Sequence, residues 1–247
     1  MVFPIYIHLG PVVIHPHLLF EGVAYVISFL LLRGRLRSDS LRGSQRSSVM
    51  VGGMIGALIG AKVLVLLQHL DLFSVNRQQW LLLVAQGKTV VGALLGGVIG
   101  VEWTKSRLRI SQSTGDVFVF PLIAGTAIGR VGCFMTGLSD RTYGTATLLP
   151  WGIDFGDGIL RHPTQIYEIL FLICLAAVLT YCQKRSLRSG ILFQLYLSSY
   201  LGFRPLNDFL KPDFHLILGM SAIQIACGLG LVYCGRQLVR LQSISSA

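Results

Sequence analysis

The chain has 247 residues, of which 53% are hydrophobic and 13% charged, and its mean hydropathy is +0.66. This composition excludes an ordinary water-soluble domain and indicates an integral membrane protein. The net charge of +10 would suit a nucleic-acid partner, but membrane orientation and anionic lipid headgroups account for it, so we predict no nucleic-acid partner.

Seven hydrophobic stretches have about the length that crosses a bilayer core. We therefore predict an all-α fold, a polytopic membrane protein whose single domain covers residues 1–247. Residues 5–14 precede the first span and are broken by polar and turn-forming residues, which favours an amphipathic surface segment over a cleavable signal. The predicted spans are 17–32, 48–69, 82–101, 116–136, 164–182, 190–206 and 216–235.

Basic residues alternate between the connecting segments. Because cytoplasmic loops carry an excess of Lys and Arg, the side that holds most of them is predicted to be cytosolic. This places the amino terminus outside and the carboxyl terminus in the cytosol. The basic residues on that side are Arg33, Arg35, Arg37, Arg42, Arg46, Lys105, Arg107, Arg109, Lys184, Arg185, Arg188, Arg236 and Arg240.

Glycines recur at helical spacing in the second, third and fourth spans. This spacing lets helix backbones approach closely in lipid, so we expect the first four spans to form a tight bundle. These glycines are Gly52, Gly53, Gly56, Gly60, Gly92, Gly96, Gly97, Gly100, Gly125, Gly129 and Gly132.

The segment 137–162 is too polar to cross hydrocarbon and holds several glycines and a proline. We predict a polar loop on the outer face, with Trp151 in the headgroup layer. The cysteines show no metal or redox spacing, and Cys133 stands apart only because it lies beside Arg130.

Arg130 ends the fourth span and Arg204 ends the sixth, at the same predicted depth. A guanidinium offers a planar fork of donors to a phosphate, although a single arginine at this depth could also snorkel to the interface. Two arginines on one face indicate a site for a phospholipid headgroup. Asp208 follows Arg204 by one helical turn and can pair with it if the helix continues past Pro205.

The fifth span opens with His162, Gln165, Tyr167 and Glu168. The first, second and fourth of these share one side of a helix. A carboxylate one turn inside the membrane needs a partner, and the candidates are Arg130 and Arg204. The alternative is a purely structural ion pair.

His17 and Glu21 form a further ionisable pair in the first span, with His15 nearby. They could bind a metal, but the pattern offers no clear third ligand. It therefore favours a general base or a buried hydrogen-bonded pair, and we predict no metal site.

Several of these residues together resemble the bacterial prolipoprotein diacylglyceryl transferases. The motifs that carry the resemblance are Gly129-Arg130-Val131-Gly132-Cys133-Phe134, Arg161-His162-Pro163-Thr164-Gln165-Ile166-Tyr167-Glu168, Phe203-Arg204 with Asp208 and Pro212-Asp213, Gly10-Pro11-Val12-Val13-Ile14-His15, and Gly92-Ala93-Leu94-Leu95-Gly96.

The resemblance implies a multi-pass enzyme of the bacterial inner (cytoplasmic) membrane with its active site toward the outer face. Such an enzyme moves the diacylglyceryl group of phosphatidylglycerol to the lipobox cysteine of precursor proteins, releases glycerol phosphate and needs no cofactor. Arg130 and Arg204 would hold the phosphate and stabilise its growing charge. The substrate site would be lined by Gly129, Gly132, Gln165, Tyr167, Glu168 and Asp208.

The chain departs from the family pattern at several positions. Val91 stands where the family has a histidine, Cys133, Thr136 and Leu138 replace polar residues after the arginine, and Glu21 replaces a tyrosine. If a base must take the thiol proton, His17, His162 or Glu21 is our candidate. Two alternatives remain: a related membrane transferase that uses phosphatidylglycerol with another acceptor, and a non-catalytic lipid-binding or transport protein.

Overall fold

A computed structural model of the chain describes residues 3–36, 43–70, 78, 80, 87–185, 187–212 and 219–243. Arg37, Arg42, Asp213 and the first residues of the third and seventh predicted spans lie outside these ranges. The described residues form seven helices. They are α1 (Pro16–Leu36), α2 (Gly43–Gln68), α3 (Val90–Leu108), α4 (Val119–Thr136), α5 (Thr164–Gln183), α6 (Ile191–Asp208) and α7 (Ala222–Ser243).

Five helical segments within the described ranges are long and apolar enough to cross a membrane. They are Pro16–Leu36, Gly43–Gln68, Asp116–Asp140, Thr164–Gln183 and Ala222–Leu241. Helices α3 and α6 are not among them, and each carries charged or polar residues in its second half, such as Glu102 and Lys105 in α3. The protein is thus a mainly helical membrane protein, and a count of seven spans stays a prediction.

Helix α3 differs most from its predicted bounds of 82–101. It begins at Val90, because the Thr89 side chain caps it by accepting a hydrogen bond from the Gly92 amide. It continues to Leu108 and ends where Arg109 takes a left-handed conformation with φ of 53°. The charged residues at its end were assigned to a loop by hydropathy alone.

The chain divides into two compact units, and the prediction of a single domain stays a prediction. The second unit comprises Ser40–Ser113 and Asp213–Ala247. In it α2 packs closely on α3 through the predicted glycines. A Cβ atom on Gly56 would lie 2.3 Å from the carbonyl oxygen of Gly96, and one on Gly60 would lie 2.2 Å from that of Gly92. The close approach of the second and third spans is therefore confirmed.

The first unit comprises Met1–Asp39 and Thr114–Pro212. Here α1 packs on α4, α4 on α5, and α5 on α6. Small residues again allow the approach of α1 and α4, since a Cβ on Gly132 would lie 2.8 Å from Cβ of Phe20. Between α5 and α6 the rings of Phe171 and Phe203 stack at 4.1 Å. This arrangement brings the polar residues of four helices together.

Two short hairpins accompany the helices of the first unit. Strands β1 (Ile7–Leu9) and β2 (Val12–Ile14) pair antiparallel, so the predicted amphipathic segment has the form of a hairpin. Its turn contains Gly10 with a φ of 62°, a conformation that glycine adopts without strain. In the polar loop 137–162, β3 (Ile153–Asp154) pairs with β4 (Leu160–Arg161).

Candidate active site

A single buried carboxylate, that of Glu168, joins the two arginines that the sequence singles out. Its Oε2 lies 2.9 Å from Nε of Arg130 and 3.8 Å from Nη1 of Arg204. The Glu168 residue is only 1% exposed, and both guanidinium groups are also buried. The expectation that Glu168 has an arginine partner is confirmed, and both candidates fill that role.

Tyr200 is a further hydrogen-bond partner of Glu168. Its hydroxyl donates a 2.7 Å hydrogen bond to Oε1, so the two carboxylate oxygens face different partners. We did not identify Tyr200 from the sequence. The available signal was its position one helical turn before Arg204, on the same face of α6.

Asp208 pairs with Arg204, at 3.6 Å between Oδ1 and Nη2. The pair forms because α6 runs through Pro205 to Asp208. A proline within a helix removes one backbone donor but does not always end the helix. The predicted i to i+4 pair is therefore confirmed.

Three cationic side chains act on Glu168. Lys211 is also buried and interacts electrostatically with Glu168, as Arg130 and Arg204 do. Arginine donors gathered in this way suit the oxygens of a phosphate.

The guanidinium groups also keep donor capacity. Within the described part of the chain, Nη1 of Arg204 and Nε of Arg130 are buried atoms without a well-directed hydrogen bond. The 2.9 Å contact between Nε of Arg130 and Oε2 of Glu168 is therefore an ion pair in which the N–H bond does not point well at the carboxylate oxygen. Donors of this kind can turn toward phosphate oxygens.

A second group of side chains adjoins Arg130. His17, Cys133 and Asp140 form this group, which we call the thiol cluster. A ring nitrogen of His17, Sγ of Cys133 and a carboxylate oxygen of Asp140 all lie within 4.8 Å of one another. Nδ1 of His17 is 3.0 Å from Oδ1 of Asp140, and Nη1 of Arg130 is 3.9 Å from Sγ of Cys133. The two groups of polar residues are thus contiguous.

Glu21 lies on the other side of the His17 ring. Its Oε2 is 3.6 Å from Nε2 of His17, and its Oε1 accepts a 2.7 Å hydrogen bond from Tyr25. His17 therefore has a carboxylate at each ring nitrogen. Asp140 was missed as a partner of His17, because it is distant in sequence and only the packing of α1 on α4 brings it near.

The remaining predicted site residues of the fifth span contact the polar loop and each other. His162 precedes α5, which begins at Thr164, so the prediction that it shares a helix face with Gln165 and Glu168 was wrong. Nδ1 of His162 is 3.1 Å from the Tyr167 hydroxyl, which also accepts a 2.8 Å hydrogen bond from Trp151. Gln165 is buried and donates to the Thr142 hydroxyl at 3.1 Å. The described contacts of His162 and Tyr167 are thus with the loop and with each other.

The two glycines predicted to line the substrate site differ in their surroundings. A Cβ on Gly129 would meet nothing within 4 Å, whereas one on Gly132 would meet Phe20 of α1. Gly132 therefore has a packing role between the helices that carry Arg130 and His17. Gly129 has open space beside it.

The polar loop holds its shape through aspartate side chains. Oδ1 of Asp154 accepts hydrogen bonds from the amides of Gly156 and Gly158, and Nη2 of Arg161 lies 2.6 Å from Oδ2 of Asp157. The hydrogen bond from Arg161 holds the pKa of the Asp157 carboxyl below its usual range. These contacts order the segment that leads into His162.

Comparison with known proteins finds related chains. A phosphatidylglycerol–prolipoprotein diacylglyceryl transferase of Dehalococcoides mccartyi is 29% identical over 217 residues, covering 83% of this chain and 79% of the relative. That of another strain is 32% identical over 178 residues, 67% of this chain and 65% of the relative. The Bordetella parapertussis protein of the same name is 28% identical over 235 residues, 91% and 88% of the two chains.

The family model for prolipoprotein diacylglyceryl transferase matches residues 4–239. This range includes Arg130, Glu168 and Arg204, the thiol cluster and nearly the whole described fold. The paired arginines on one carboxylate lie within the matched part, as do the motifs on which the sequence resemblance depends. The chain therefore belongs to the prolipoprotein diacylglyceryl transferase family.

Proposed function

We propose that this protein transfers the diacylglyceryl group of phosphatidylglycerol to the lipobox cysteine of precursor proteins and releases glycerol phosphate. The family supports the reaction. The observation in this chain that carries the proposal is the convergence of Arg130 and Arg204 on the buried Glu168.

Arg130 and Arg204 are proposed to bind the phosphate of the donor lipid. As the acceptor sulfur attacks the glyceryl carbon, the carbon–oxygen bond breaks and its electron pair moves to the departing phosphate oxygen. Preorganised donors aimed at that oxygen stabilise the transition state more than the bound substrate. Glu168 holds the two guanidinium groups in place before the lipid binds.

The acyl chains of the donor need an apolar path beside the headgroup site. An open apolar surface runs along α1 and includes Leu18, Gly22 and Val26. It begins next to His17 on the same helix. We propose that it accommodates part of the lipid tails.

The acceptor thiol is proposed to enter at the His17 end of the site. His17 and Asp140 are adjacent to Arg130 through Cys133, whereas His162 is bonded to Tyr167. Of the three candidate bases, we therefore propose His17 as the group that accepts the proton of the attacking thiol. Glu21 acts through His17.

We further propose seven spans in the bacterial inner membrane, with the amino terminus and the active site toward the outer face. The charge distribution of the connecting segments supports this orientation. Precursor lipoproteins would meet the site on that face after translocation. Cysteine accessibility at positions in the polar loop, tested with a membrane-impermeant reagent on intact cells, checks the orientation.

The direct test incubates the purified chain with radiolabelled phosphatidylglycerol and a lipobox peptide. Label is expected on the peptide cysteine with the unmodified chain, and on the order of 100-fold less with Arg130→Ala or Arg204→Ala. Arg107→Ala removes an exposed arginine on α3 and is the matched control, expected to transfer normally.

Transfer that survives loss of both Arg130 and Arg204 would overturn their proposed role. A second candidate, the use of phosphatidylglycerol with a different acceptor, is favoured by Cys133 and Val91, where the chain departs from the family pattern. Label on small thiols or on other nucleophiles, but not on the lipobox peptide, would support that candidate instead.

A further inference from the structure

The thiol cluster has the composition of a metal site. His17 lies near the start of α1, Cys133 in the last turn of α4, and Asp140 in the 3-10 turn Gly137–Asp140 that follows α4. Each residue offers one ligand atom, and these atoms lie within 4.8 Å of one another. Imidazole, thiolate and carboxylate are the ligands that zinc binds in proteins.

The distances fit a common ion. Zinc binds sulfur at about 2.3 Å and nitrogen or oxygen at about 2.0–2.2 Å, so tetrahedral ligands lie about 3–4 Å apart. Nδ1 of His17 and Oδ1 of Asp140 are 3.0 Å apart, and all three ligand atoms lie within 4.8 Å of one another. Three protein ligands leave a coordination position open, as in catalytic zinc sites.

The surroundings hold the ligands in the required orientation. The ring of His17 has Glu21 at Nε2, 3.6 Å away, which leaves Nδ1 for the cation. Thr142 donates a 2.6 Å hydrogen bond to Oδ2 of Asp140, which leaves Oδ1 for it. Partners of this kind fix the orientation of metal-binding side chains and raise affinity.

The charges are also compatible with a cation. A Cys133 thiolate and the Asp140 carboxylate neutralise a divalent cation, and a bound hydroxide or acceptor thiolate adds one negative charge. Arg130 lies 3.9 Å from Sγ of Cys133 but is already paired with Glu168 at 2.9 Å. Its guanidinium can therefore remain as a donor to the thiolate without opposing the cation.

We propose that His17, Cys133 and Asp140 bind a zinc-class divalent cation whose open position takes the acceptor thiol. This inference deepens the proposed function and rests on it for the identity of the thiol. This site replaces the prediction of no metal site, and His17 then acts as a ligand instead of as a free base. The cation would supply the thiolate in a chain that has Val91 where the family has a histidine. It stands next to Arg130, which is proposed to bind the phosphate of the donor lipid.

The step balances as follows. The acceptor thiol displaces cation-bound hydroxide, which leaves as water with the thiol proton, and a coordinating thiol is held as thiolate. The thiolate then forms the sulfur–carbon bond with the glyceryl group. The carbon–oxygen bond to the phosphate breaks, and its electron pair leaves with glycerol phosphate beside Arg130 and Arg204.

Cobalt(II) tests the site without any transfer reaction. The purified full chain, stripped with chelator and kept in detergent, is titrated with Co²⁺. One equivalent is expected, with a thiolate-to-cobalt charge-transfer band. Cys133→Ser should abolish that band, whereas Cys174→Ser, which removes an exposed cysteine of α5, should keep it.

The other ligands and one supporting residue complete the series. His17→Gln and Asp140→Asn should each weaken cobalt binding by more than about tenfold, with His15→Gln and Asp154→Asn as controls. Glu21→Gln keeps all three ligands and should weaken binding by about 10–100-fold, which gives a readout if a ligand variant fails to fold. A charge-transfer band that persists in Cys133→Ser, or no binding by the unmodified chain, would overturn the site.

The thiol step has its own readout. Adding a lipobox peptide to the cobalt-loaded chain should strengthen the thiolate band, and a peptide with serine for cysteine should not. Cobalt binding without this response would overturn the thiol step. Cobalt binding and the peptide response without any lipid transfer would show that the proposed function is wrong. Lipid transfer that is unchanged by Cys133→Ser and by chelation would overturn the cation site but leave the proposed function standing.

Discussion

Nε of Arg130 lies 2.9 Å from Oε2 of Glu168, between α4 and α5 and away from bulk water. The other oxygen of the same carboxylate accepts a hydrogen bond from Tyr200 of α6. One side chain therefore connects three helices. A buried carboxylate with this many partners fixes the positions of cations that would otherwise repel each other.

Replacing Glu168 with glutamine tests that connection. Glu168→Gln keeps the shape but leaves two buried guanidinium groups without their shared carboxylate. We expect the loss of about 3–5 kcal/mol of unfolding free energy, the usual cost of removing one member of a buried pair. Unfolding in one detergent, compared with the unmodified chain, measures it.

Glu102→Gln is the matched control for this change. Glu102 is a glutamate of α3 that pairs with Lys105 at 3.0 Å and is half exposed. Its loss should cost at most about 1 kcal/mol. Equal destabilisation by the two variants would contradict the central role of Glu168.

Arg204→Lys distinguishes a planar fork from a point charge. Lysine keeps the charge but cannot hold a phosphate and Glu168 with fixed, parallel donors. We expect transfer to fall on the order of 10- to 100-fold in kcat, less than the roughly 100- to 1,000-fold that follows complete removal of a stabilising donor, because the charge is kept. The chain should stay folded. Single-turnover assays with labelled lipid measure the rate, and a normal rate would show that charge alone suffices.

Tyr200→Phe removes the hydroxyl that donates to Oε1 of Glu168 and leaves the ring in place. The buried oxygen then lacks a partner, which costs about 1–3 kcal/mol. Thermal unfolding measures the change. Tyr181→Phe, at an exposed tyrosine of α5, provides the comparison and should have a much smaller effect.

Gly96→Ala should separate α2 from α3. Its new Cβ would lie 2.2 Å from the carbonyl oxygen of Gly56, a backbone atom that cannot move alone. We expect destabilisation of about 1–3 kcal/mol, the typical cost of overpacking. Gly97→Ala is the control, because its Cβ would meet Ala57 at an ordinary 3.6 Å, and equal unfolding of both would refute the packing argument.

Asp157 gives the polar loop a dependence on pH. The hydrogen bond from Arg161 lowers the pKa of the Asp157 carboxyl. The ionised carboxylate therefore stabilises the folded loop above about pH 4, the ordinary pKa of an aspartate. This stabilisation is lost as the pH falls through the lower pKa of the folded state. Protection of the Ile159 amide, which donates to Asp157 at 3.2 Å, should fall in that range. Hydrogen exchange corrected for intrinsic rates measures it, and Asp157→Asn should remove the pH dependence that Asp157 contributes.

Much of the candidate site could be predicted from local sequence. The positions of Arg130, Glu168 and Arg204 at the ends of apolar stretches indicated a shared site, since charges at that depth need partners. The pairing of Arg204 with Asp208 and the contact of His17 with Glu21 followed from helical spacing alone. Pairs within one helix are predictable because the backbone fixes their distance.

Partners from different helices could not be found in this way. Asp140 lies 3.0 Å from His17, and Tyr200 lies 2.7 Å from Glu168, yet nothing in the spacing of these residues relates them. The composition by itself determined the membrane class, and the local motifs determined the likeness to a family of lipid-modifying enzymes. Which carboxylate meets which cation was decided by the packing of α1 on α4 and of α5 on α6, because side-chain contacts between helices depend on how the helices rotate against each other.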